Sequence, residues 1–185
     1  MVLIGAPLST ARTRSRLLLE VDAPLLLRYR LENREHLAPW EPLRNESFFT
    51  LEHCQRTIVG GRQAAQQDQA FPYAIFMTDG GPMIGSFTFA NLVRGPFQAC
   101  HLGYGIAAAW QGQGLMHEAL ENGLGWAFGE LGLHRVMANY LPRNERSGKL
   151  LQRLGFEQEG YAKRYLQIAG HWEDHVLTAR YRMDD

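Results

Sequence analysis

The chain has 185 residues, and its 19 basic and 19 acidic side chains leave no formal net charge at pH 7. This length predicts a single domain with a sizeable core, and the neutral balance excludes any argument from net charge for binding to nucleic acid or a membrane. The two cysteines, Cys54 and Cys100, do not have the spacing of a metal or redox site, and the histidines do not have the spacing of metal ligands. We therefore expect buried thiols, no metal site and a cytoplasmic protein, since no apolar run is long enough to span a bilayer.

The N-terminal part of the chain changes from an irregular to a helical pattern. Residues 1–14 lack strong periodicity, so we expect a loose segment there and one domain over 15–183. A short apolar strand is predicted at 16–21. Asp22 is placed to cap a helix with Pro24 in its first turn, and this helix is predicted to end near Asn33 and to bury three leucines, Leu26, Leu27 and Leu31.

A loop broken by prolines follows at 36–43 and carries Trp40 and Glu41. Trp40 has two interpretations, a core-filling side chain or a contact with substrate, and the first is favoured. Glu41 lies between Trp40 and Pro42, which is not typical of a solvated face, so it is a candidate for a functional carboxylate. A second helix is predicted at about 50–67.

The rest of the chain predicts strands and helices in a mixed order. Turn residues separate apolar strands at 70–78, 83–91 and 98–106. A helix from Leu115 follows, then a strand at 134–141, a helix from Asn144, and a hairpin formed by 157–168 and 172–182. Three antiparallel strands followed by strand, helix and strand predict an α+β fold with a mixed, mostly antiparallel sheet.

The segment 111–116, Gln-Gly-Gln-Gly-Leu-Met, joins a predicted strand to a predicted helix. This arrangement turns unpaired backbone N–H groups and the positive end of a helix dipole toward an anion, so the segment is interpreted as a cradle for a pyrophosphate. A nucleotide P-loop needs Lys-Ser or Lys-Thr after its last glycine, and a dinucleotide fingerprint needs a glycine where this chain has His117. The remaining pattern is Gln-x-x-Gly-x-Met.

This pattern resembles the acetyl-coenzyme A loop of the GNAT superfamily of N-acetyltransferases, in which the last position is usually small. Several further strings are similar to its RimJ branch: Trp40-Glu-Pro42, Asn91-Leu-Val-Arg-Gly95, Met137-Ala-Asn-Tyr140, Arg146-Ser-Gly148, Glu159-Gly-Tyr-Ala-Lys163 and Asp174-His-Val-Leu-Thr178. The resemblance extends from about Ser15 to Arg180. It implies the GNAT fold, with a central sheet of about seven strands and helices on both faces, and acetylation of the N-terminal alanine of a small-subunit ribosomal protein.

The same resemblance implies acetyl-CoA as cosubstrate, without a metal, and a set of site residues. The cofactor would contact Tyr104, Gly105, Ile106, Gln111, Gly112, Gln113, Gly114, Leu115, Met116, Asn139, Asn144 and Ser147. Asn144 and Ser147 also take catalytic roles, toward the pantetheine amide and the thioester sulfur, although Asn144 has an alternative interpretation as a helix N-cap. Trp40, Glu41 and Arg94 are expected near the acceptor substrate, with Glu41 as a catalytic candidate.

The sequence does not decide which groups transfer protons. Candidates for the base are Glu41, His101, Glu118 or a water held by the backbone, but His101 is more typical of a packed core histidine and Glu118 of a surface acid. Many members of the superfamily place a tyrosine general acid after the helix that begins at Asn144, and the sequence does not fix its equivalent here. Tyr161 and Tyr165 lie later, in the following strand, and Tyr161 is expected in the core. An α-amino group has a pKa of roughly 7.7 to 8.0, so about a tenth of it is neutral at pH 7 and a strong base is not required.

Three functions are compatible with these patterns. The leading one is direct attack of an N-terminal alanine amine on acetyl-CoA, with a ribosomal protein as partner and the ribosome as a further partner. The second is acetylation of a small amine or antibiotic, which favours a closed pocket over an open groove. The third is a non-enzymatic ribosome-assembly factor acting through basic residues, Arg143, Arg146, Lys149 and Arg153. We expect no membrane contact and no direct nucleic-acid site.

Overall fold

The computed structural model describes residues 5–183 of the chain. Five helices lie in this part: α1 (Ala23–Glu32), α2 (Arg34–Leu37), α3 (Leu51–Gln66), α4 (Leu115–Phe128) and α5 (Glu145–Arg153). Eight strands accompany them: β1 (Leu8–Ser9), β2 (Thr13–Leu17), β3 (Phe71–Met77), β4 (Gly85–Val93), β5 (Ala99–Ile106), β6 (Arg135–Met137), β7 (Glu157–Ile168) and β8 (His171–Tyr181).

The strands form one sheet in the order β1-β2-β3-β4-β5-β6-β8-β7. Every neighbouring pair is antiparallel except β5 and β6, which run parallel. The α+β class and the mixed, mostly antiparallel sheet are therefore confirmed. The eighth strand is β1, which the sequence pattern did not predict.

The start of the chain differs from the predicted loose segment at 1–14. Residues 1–4 lie outside the described part, but Leu8–Ser9 pairs with β2, so residues 8–14 are not loose. The strand predicted at 16–21 instead spans Thr13–Leu17. Its buried side chains include the small polar residues Thr13 and Ser15, and a hydrophobic pattern does not detect buried hydroxyls. The boundary of a single domain at 15–183 stays a prediction.

Alternation along β3 places helices on both faces of the sheet. Phe71, Tyr73 and Ile75 belong to one core cluster, with residues of α4 and α5. Ala74 and Phe76 belong to a second cluster, with residues of α1 and α3. Successive side chains of a strand point to opposite faces, so the apolar run of β3 is buried on both sides.

Helix α1 buries a different face from the predicted one. Asp22 precedes it without a side-chain capping bond, and its carboxylate instead accepts hydrogen bonds from Arg16 and from the Leu19 N–H. Leu26 is buried as predicted, but Leu31 is 51% exposed and that prediction was wrong. The buried positions after Leu26 follow helical spacing, and they are polar or aromatic rather than leucine: Tyr29, Arg30 and Asn33.

The sheet opens between its two central strands. Strand β5 pairs with β6 only over Ala99–His101. Beyond that point the chain after β6 bonds to β8 instead, through Ala138 N–H to Thr178 O and Tyr140 N–H to Val176 O. The second half of β5 therefore has β4 on one side and no strand on the other.

Replacing Asp22 by Asn is expected to lower the free energy of unfolding at pH 7 by about 1–3 kcal/mol, because charge-assisted bonds from partly buried Arg16 are lost. The bond from Arg16 holds the pKa of Asp22 below its usual value. The stabilisation is therefore present above the unfolded pKa, near 3.9, and is lost as the pH falls through the folded pKa.

Urea unfolding of both proteins between pH 7 and pH 3 measures this difference. The matched control is Glu32→Gln, which removes the exposed pair with Arg28 and should change the free energy of unfolding by less than about 0.5 kcal/mol. Equal effects of the two substitutions, or an Asp22 effect that grows on acidification, would contradict the assignment.

Candidate active site

A groove with a volume of about 2710 Å³ runs along the open edge of β5 and the start of α4. It gathers most of the residues predicted for the site, although they come from distant parts of the chain. The predicted residues in its wall are Trp40, Glu41, Tyr104, Gly105, Ile106, Gln111, Gly112, Gly114, Leu115, Met116, Asn139, Asn144 and Ser147. Gln113 and Arg94 are not part of that wall.

The open edge of β5 presents alternate backbone groups to the groove. The Ala107 N–H donates to Ile84 O on the β4 side at 2.8 Å, and the pairing of Ile106 with Gly85 continues this register. Bonding alternates along an antiparallel strand. The N–H and C=O groups of Tyr104 and Ile106 therefore face the side that has no strand.

The glycine loop before α4 is built from conformations that suit glycine. Gly112 and Gly114 have φ angles of 74° and 77°, and no atom lies within 4 Å of the place where a Cβ of Gly112 would stand. The first intrahelical bond of α4 runs from the Glu118 N–H to Gly114 O, which leaves the N–H groups of the preceding helical residues without intrahelical partners. The loop can therefore accept a phosphate group closely.

The N-terminal strands hold this loop from behind. Arg12 donates to Gln113 O at 3.0 Å and to Glu118 Oε2 at 2.7 Å. The Thr10 hydroxyl and the Arg12 N–H donate to the other carboxylate oxygen of Glu118, and the Thr10 bond is the main cause that lowers the pKa of Glu118. Glu118 thus fastens the β1–β2 turn to α4, and its proton-accepting oxygens are already engaged.

A chain of polar contacts joins the loop to its neighbours. Arg146 of α5 donates to Gln111 Oε1 at 2.6 Å. Gln111 Nε2 lies 3.1 Å from His36 Nε2, which lies 3.2 Å from Ile106 O. These contacts tie α2, β5, the loop and α5 together around the groove.

Asn144 and Ser147 occupy the start of α5 as predicted. Asn144 accepts from the Ser147 N–H at 3.2 Å, so it is an N-cap. The Ser147 hydroxyl lies 2.6 Å from the Tyr104 hydroxyl. Burial raises the pKa of Tyr104 to about 12, against a lowering influence of the Ser147 bond, so the phenol keeps its proton at neutral pH.

The opposite face of β5 carries two glycines. No atom lies within 4 Å of a Cβ position on Gly103, whereas Leu37 Cδ2 and the Tyr29 hydroxyl lie 3.7 Å and 3.8 Å from a Cβ position on Gly105. Tyr29 is 6% exposed, and burial, followed by the charge of Glu41, raises its pKa. Tyr29 therefore lies next to Gly105, and Tyr29 and Glu41 both line the groove.

The loop that carries Trp40 and Glu41 closes on the β7–β8 hairpin. The Ala169 N–H donates to Glu41 O at 2.9 Å. Arg143 bonds to Glu173 at 2.9 Å and to Pro39 O at 3.2 Å, and its guanidinium lies 5.7 Å from the Trp40 ring. Trp40 is 37% exposed, so the favoured interpretation as a core side chain was wrong.

Other residues singled out in the sequence lie outside the groove wall. Arg94 pairs with Asp68 at 2.5 Å and donates to Leu131 O, at the far end of β4. His101 is not part of the groove wall, and burial lowers its pKa. Tyr161 is 52% exposed and donates to Asp174, so its predicted place in the core was wrong.

Asn139 lies in the groove wall and is held by the hairpin. Its amide nitrogen donates to the Tyr165 hydroxyl at 3.2 Å, and its oxygen accepts from the Thr178 N–H. Cys54 and Cys100 are buried thiols, as expected.

Three residues of the site were missed by the sequence patterns: Arg12, Tyr29 and His36. Arg12 lies in the segment predicted to be loose, and Tyr29 lies on a helix whose buried face was assigned to leucines. His36 lies 70 positions before the Ile106 carbonyl that it contacts. No local spacing rule predicts a contact between residues so far apart in the sequence. The burial of Tyr29 could have been predicted, because Leu26, Tyr29 and Asn33 are spaced as one face of a helix.

Comparison with known proteins gives a consistent family. The family described as "Acetyltransferase (GNAT) domain" matches residues 13–157. The [ribosomal protein uS5]-alanine N-acetyltransferase of Escherichia coli (strain K12) is 48% identical over 172 residues, which cover 93% of this chain and 89% of that protein. The family match extends over more than half of the chain.

Solved structures agree with this comparison. The ribosomal-protein-S5-alanine acetyltransferase from Vibrio fischeri has a TM-score of 0.92 at 38% identity, covering 97% of this chain and 98% of that chain. Mycobacterium smegmatis RimJ in complex with CoA-disulfide has a TM-score of 0.88 at 31% identity, covering 96% of this chain and 86% of that chain.

Among the described residues, no helix combines the length and apolarity that a membrane crossing requires.

Replacing Glu118 by Gln is expected to loosen the β1–β2 turn, because the carboxylate bonds to Thr10 and Arg12 are weakened. The free energy of unfolding should fall by about 1–2 kcal/mol, and the backbone amides of residues 8–13 should exchange with deuterium faster. Hydrogen exchange followed by mass spectrometry measures both. The control Glu121→Gln removes the exposed pair with Arg180 and should leave exchange at 8–13 unchanged; faster exchange there in both proteins would argue against this role of Glu118.

Proposed function

The chain belongs to the GNAT acetyltransferase family, and from this we propose that it transfers the acetyl group of acetyl-CoA to the α-amine of the N-terminal alanine of ribosomal protein uS5. The acceptor is proposed from the named activity of the Escherichia coli relative, at 48% identity over 93% of the chain. A ribosomal-protein acceptor implies action in the cytoplasm and brings the ribosome within reach as a partner.

One observation carries the acetyl-CoA part of the proposal, the open edge of β5 that runs into the glycine loop. An extended ligand with amide groups fits the backbone groups at Tyr104 and Ile106, and a pyrophosphate fits the loop at 112–114. The residues present thus suit coenzyme A at both ends of the groove. Bound there, acetyl-CoA supplies the thioester from which the acetyl group is taken.

The protein's own groups have separate roles in this transfer. One of the two N–H groups that face the gap, at Tyr104 or at Ile106, polarises a carbonyl held there, which favours attack at its carbon. Arg146, Lys149 and Arg153 in the groove wall add positive charge toward phosphates. Arg146 also positions Gln111 at the start of the loop.

The acceptor amine is assigned to the face of β5 that carries Gly103 and Gly105, where the absence of side chains leaves room for it. Tyr29 lies beside Gly105, and Glu41 lines the same groove. Glu41 can take the proton that the amine loses when the new amide bond forms, and the phenol of Tyr29 can orient the amine by a hydrogen bond. An α-amine has a pKa of roughly 7.7 to 8.0, so an appreciable fraction arrives neutral without a dedicated base.

The departing thiolate is assigned to the Tyr104–Ser147 pair. The two hydroxyls lie 2.6 Å apart at the start of α5. Because the pKa of Tyr104 is raised to about 12, the pair stays protonated and can donate a hydrogen bond toward sulfur as the carbon–sulfur bond breaks. Asn144 positions Ser147 by capping the helix.

A peptide acceptor is favoured over the other functions that the sequence allowed. The wall of the groove includes side chains that remain solvent-accessible, among them Trp40 and Arg44, which suits a chain that continues beyond the site. The basic residues considered for a ribosome-assembly factor line this same groove, and Arg143 and Arg146 are already bonded within the protein.

Thiol release from acetyl-CoA with two peptides tests the proposal. One peptide carries the uS5 N-terminal sequence beginning with alanine, and the other is the same peptide with its α-amine blocked and one lysine free. Only the first is expected to turn over near pH 7, since about a tenth of its α-amine is neutral against under a thousandth of a lysine amine. Its rate should rise nearly tenfold from pH 6 to pH 7 and level off above about pH 8.

The contrary outcomes are distinct. Turnover of the lysine peptide would exclude α-amine specificity. Turnover of neither peptide, with acetyl-CoA still raising the melting temperature, would exclude uS5 as acceptor and retain the cofactor assignment. Faster turnover of simple small amines would favour the small-amine function.

Replacing Gly114 by Ala should weaken coenzyme A binding about tenfold, because its φ of 77° is unfavourable for residues with a Cβ and the loop must rearrange. Isothermal titration calorimetry measures the Kd. The control is Gly60→Ala in α3, where nothing lies within 4 Å of the added carbon. That control should raise the free energy of unfolding by about 0.5–1 kcal/mol without changing the Kd. A higher Kd in the control, or an unchanged Kd in Gly114→Ala, would contradict the role of the loop.

A further inference from the structure

A second cavity, of about 650 Å³, lies between α1, α3 and the face of the sheet formed by β3 and β4. Part of its wall is apolar, with Leu26, Ile58, Met83 and the aromatic rings of Phe48 and Phe49. It is separate from the edge of β5 where the coenzyme is proposed to bind. Most of the residues that line this cavity are not among the predicted site residues.

The charged groups of the cavity are predominantly basic. Four arginines and one glutamate line it: Arg30, Arg34, Arg44, Arg62 and Glu41. Arg34 is neutralised by both carboxylate oxygens of Glu46, and Arg44 lies 3.4 Å from Glu41. Within residues 5–183, Arg30 and Arg62 make no ion pair.

Arg30 is a buried cation that only neutral groups contact closely. It is 9% exposed and donates to Phe48 O at 2.9 Å, to Thr57 Oγ1 at 3.2 Å and to Cys54 Sγ at 3.4 Å. Its guanidinium also lies 3.8 Å from the centre of the Phe48 ring. Burial of a charge without a counter-ion is unfavourable, so an anion in the cavity would be stabilised there.

The cavity is connected to the proposed acceptor site. Six residues line both the cavity and the groove: Tyr29, Leu37, Glu41, Arg44, Ser86 and Thr88. From Glu41 the contacts lead to Arg44 at 3.4 Å, then to the Phe48 ring at 4.4 Å and to Arg30 at 3.8 Å. An extended peptide advances roughly 3.3 Å per residue, so the first few residues after the acetylated one reach this wall.

We propose that this cavity binds the acceptor peptide beyond its N-terminal residue and that it takes the carboxylate side chain of an aspartate or glutamate within the first few positions. The planar guanidinium of Arg30 suits a carboxylate, and the apolar wall suits the methylene stem that carries it. This inference rests on the proposed function and specifies its substrate class, an N-terminal peptide with an early acidic residue.

Two sets of alanine-initiated peptides test the inference on the unaltered protein. Each set places one glutamate at position 2, 3, 4 or 5, and the matched set carries glutamine at the same place. At one of these positions the glutamate peptide is expected to have a kcat/KM roughly 10-fold to 100-fold above its glutamine partner, the size of a charge-assisted contact. The difference should lie mainly in KM.

The variant Arg30→Gln tests whether Arg30 causes the preference for the glutamate peptide. It should remove the advantage of the glutamate peptide and change kcat/KM of the glutamine peptide by less than about threefold. The control Arg28→Gln alters an exposed arginine of the same helix, paired with Glu32, and should preserve the preference. If thermal unfolding shows that Arg30→Gln does not fold, Arg62→Gln is used, and it should reduce the preference about threefold.

The outcomes that overturn the inference differ from those that overturn the function. Equal turnover of both peptide sets overturns the inference alone, as does a preference that persists unchanged in the folded arginine variant. Turnover of O-phosphoethanolamine above that of every peptide would mean that the cavity serves a small anionic amine instead. Turnover of no peptide at all overturns the proposed function together with the inference.

Discussion

The separation of β6 from β5 is the constraint on which the site depends. Backbone N–H and C=O groups need partners, and beyond His101 those of β5 that face the gap have no strand beside them. The fold maintains this opening because the chain after β6 is held to β8 by three backbone bonds at Ala138 and Tyr140. An extended ligand that supplied these partners would complete the sheet, which is what the proposed function requires of acetyl-CoA.

The two faces of β5 have different surroundings. Cys100 and Leu102 face the cluster that contains α4, and Tyr104 packs against that cluster and reaches α5 through Ser147. Gly103 and Gly105 point the other way, toward Tyr29 and the second cavity. Under the proposed function, this alternation along one strand keeps the coenzyme supports on one side and leaves space for an acceptor on the other.

Local patterns predicted most of the fold and the loop, since hydrophobic periodicity, turn residues and the glycine spacing are short-range signals. The N-cap role of Asn144 followed from its position before a helical pattern. Contacts between distant residues could not be predicted in this way: Arg12 reaches Gln113 from a strand whose buried Thr13 and Ser15 look polar in sequence. Trp40 was misjudged because a large aromatic side chain usually fills a core, whereas here it lies beside Arg143 at the rim of the groove.

The imidazole of His36 faces two partners with a single nitrogen. Nε2 lies 3.2 Å from Ile106 O, which requires a donor, and 3.1 Å from Gln111 Nε2, which requires an acceptor. One tautomer of a neutral imidazole satisfies the strand and the other satisfies the loop, but neither satisfies both. The proton position on His36 therefore decides which of the two contacts, the one with β5 or the one with the glycine loop, is a hydrogen bond.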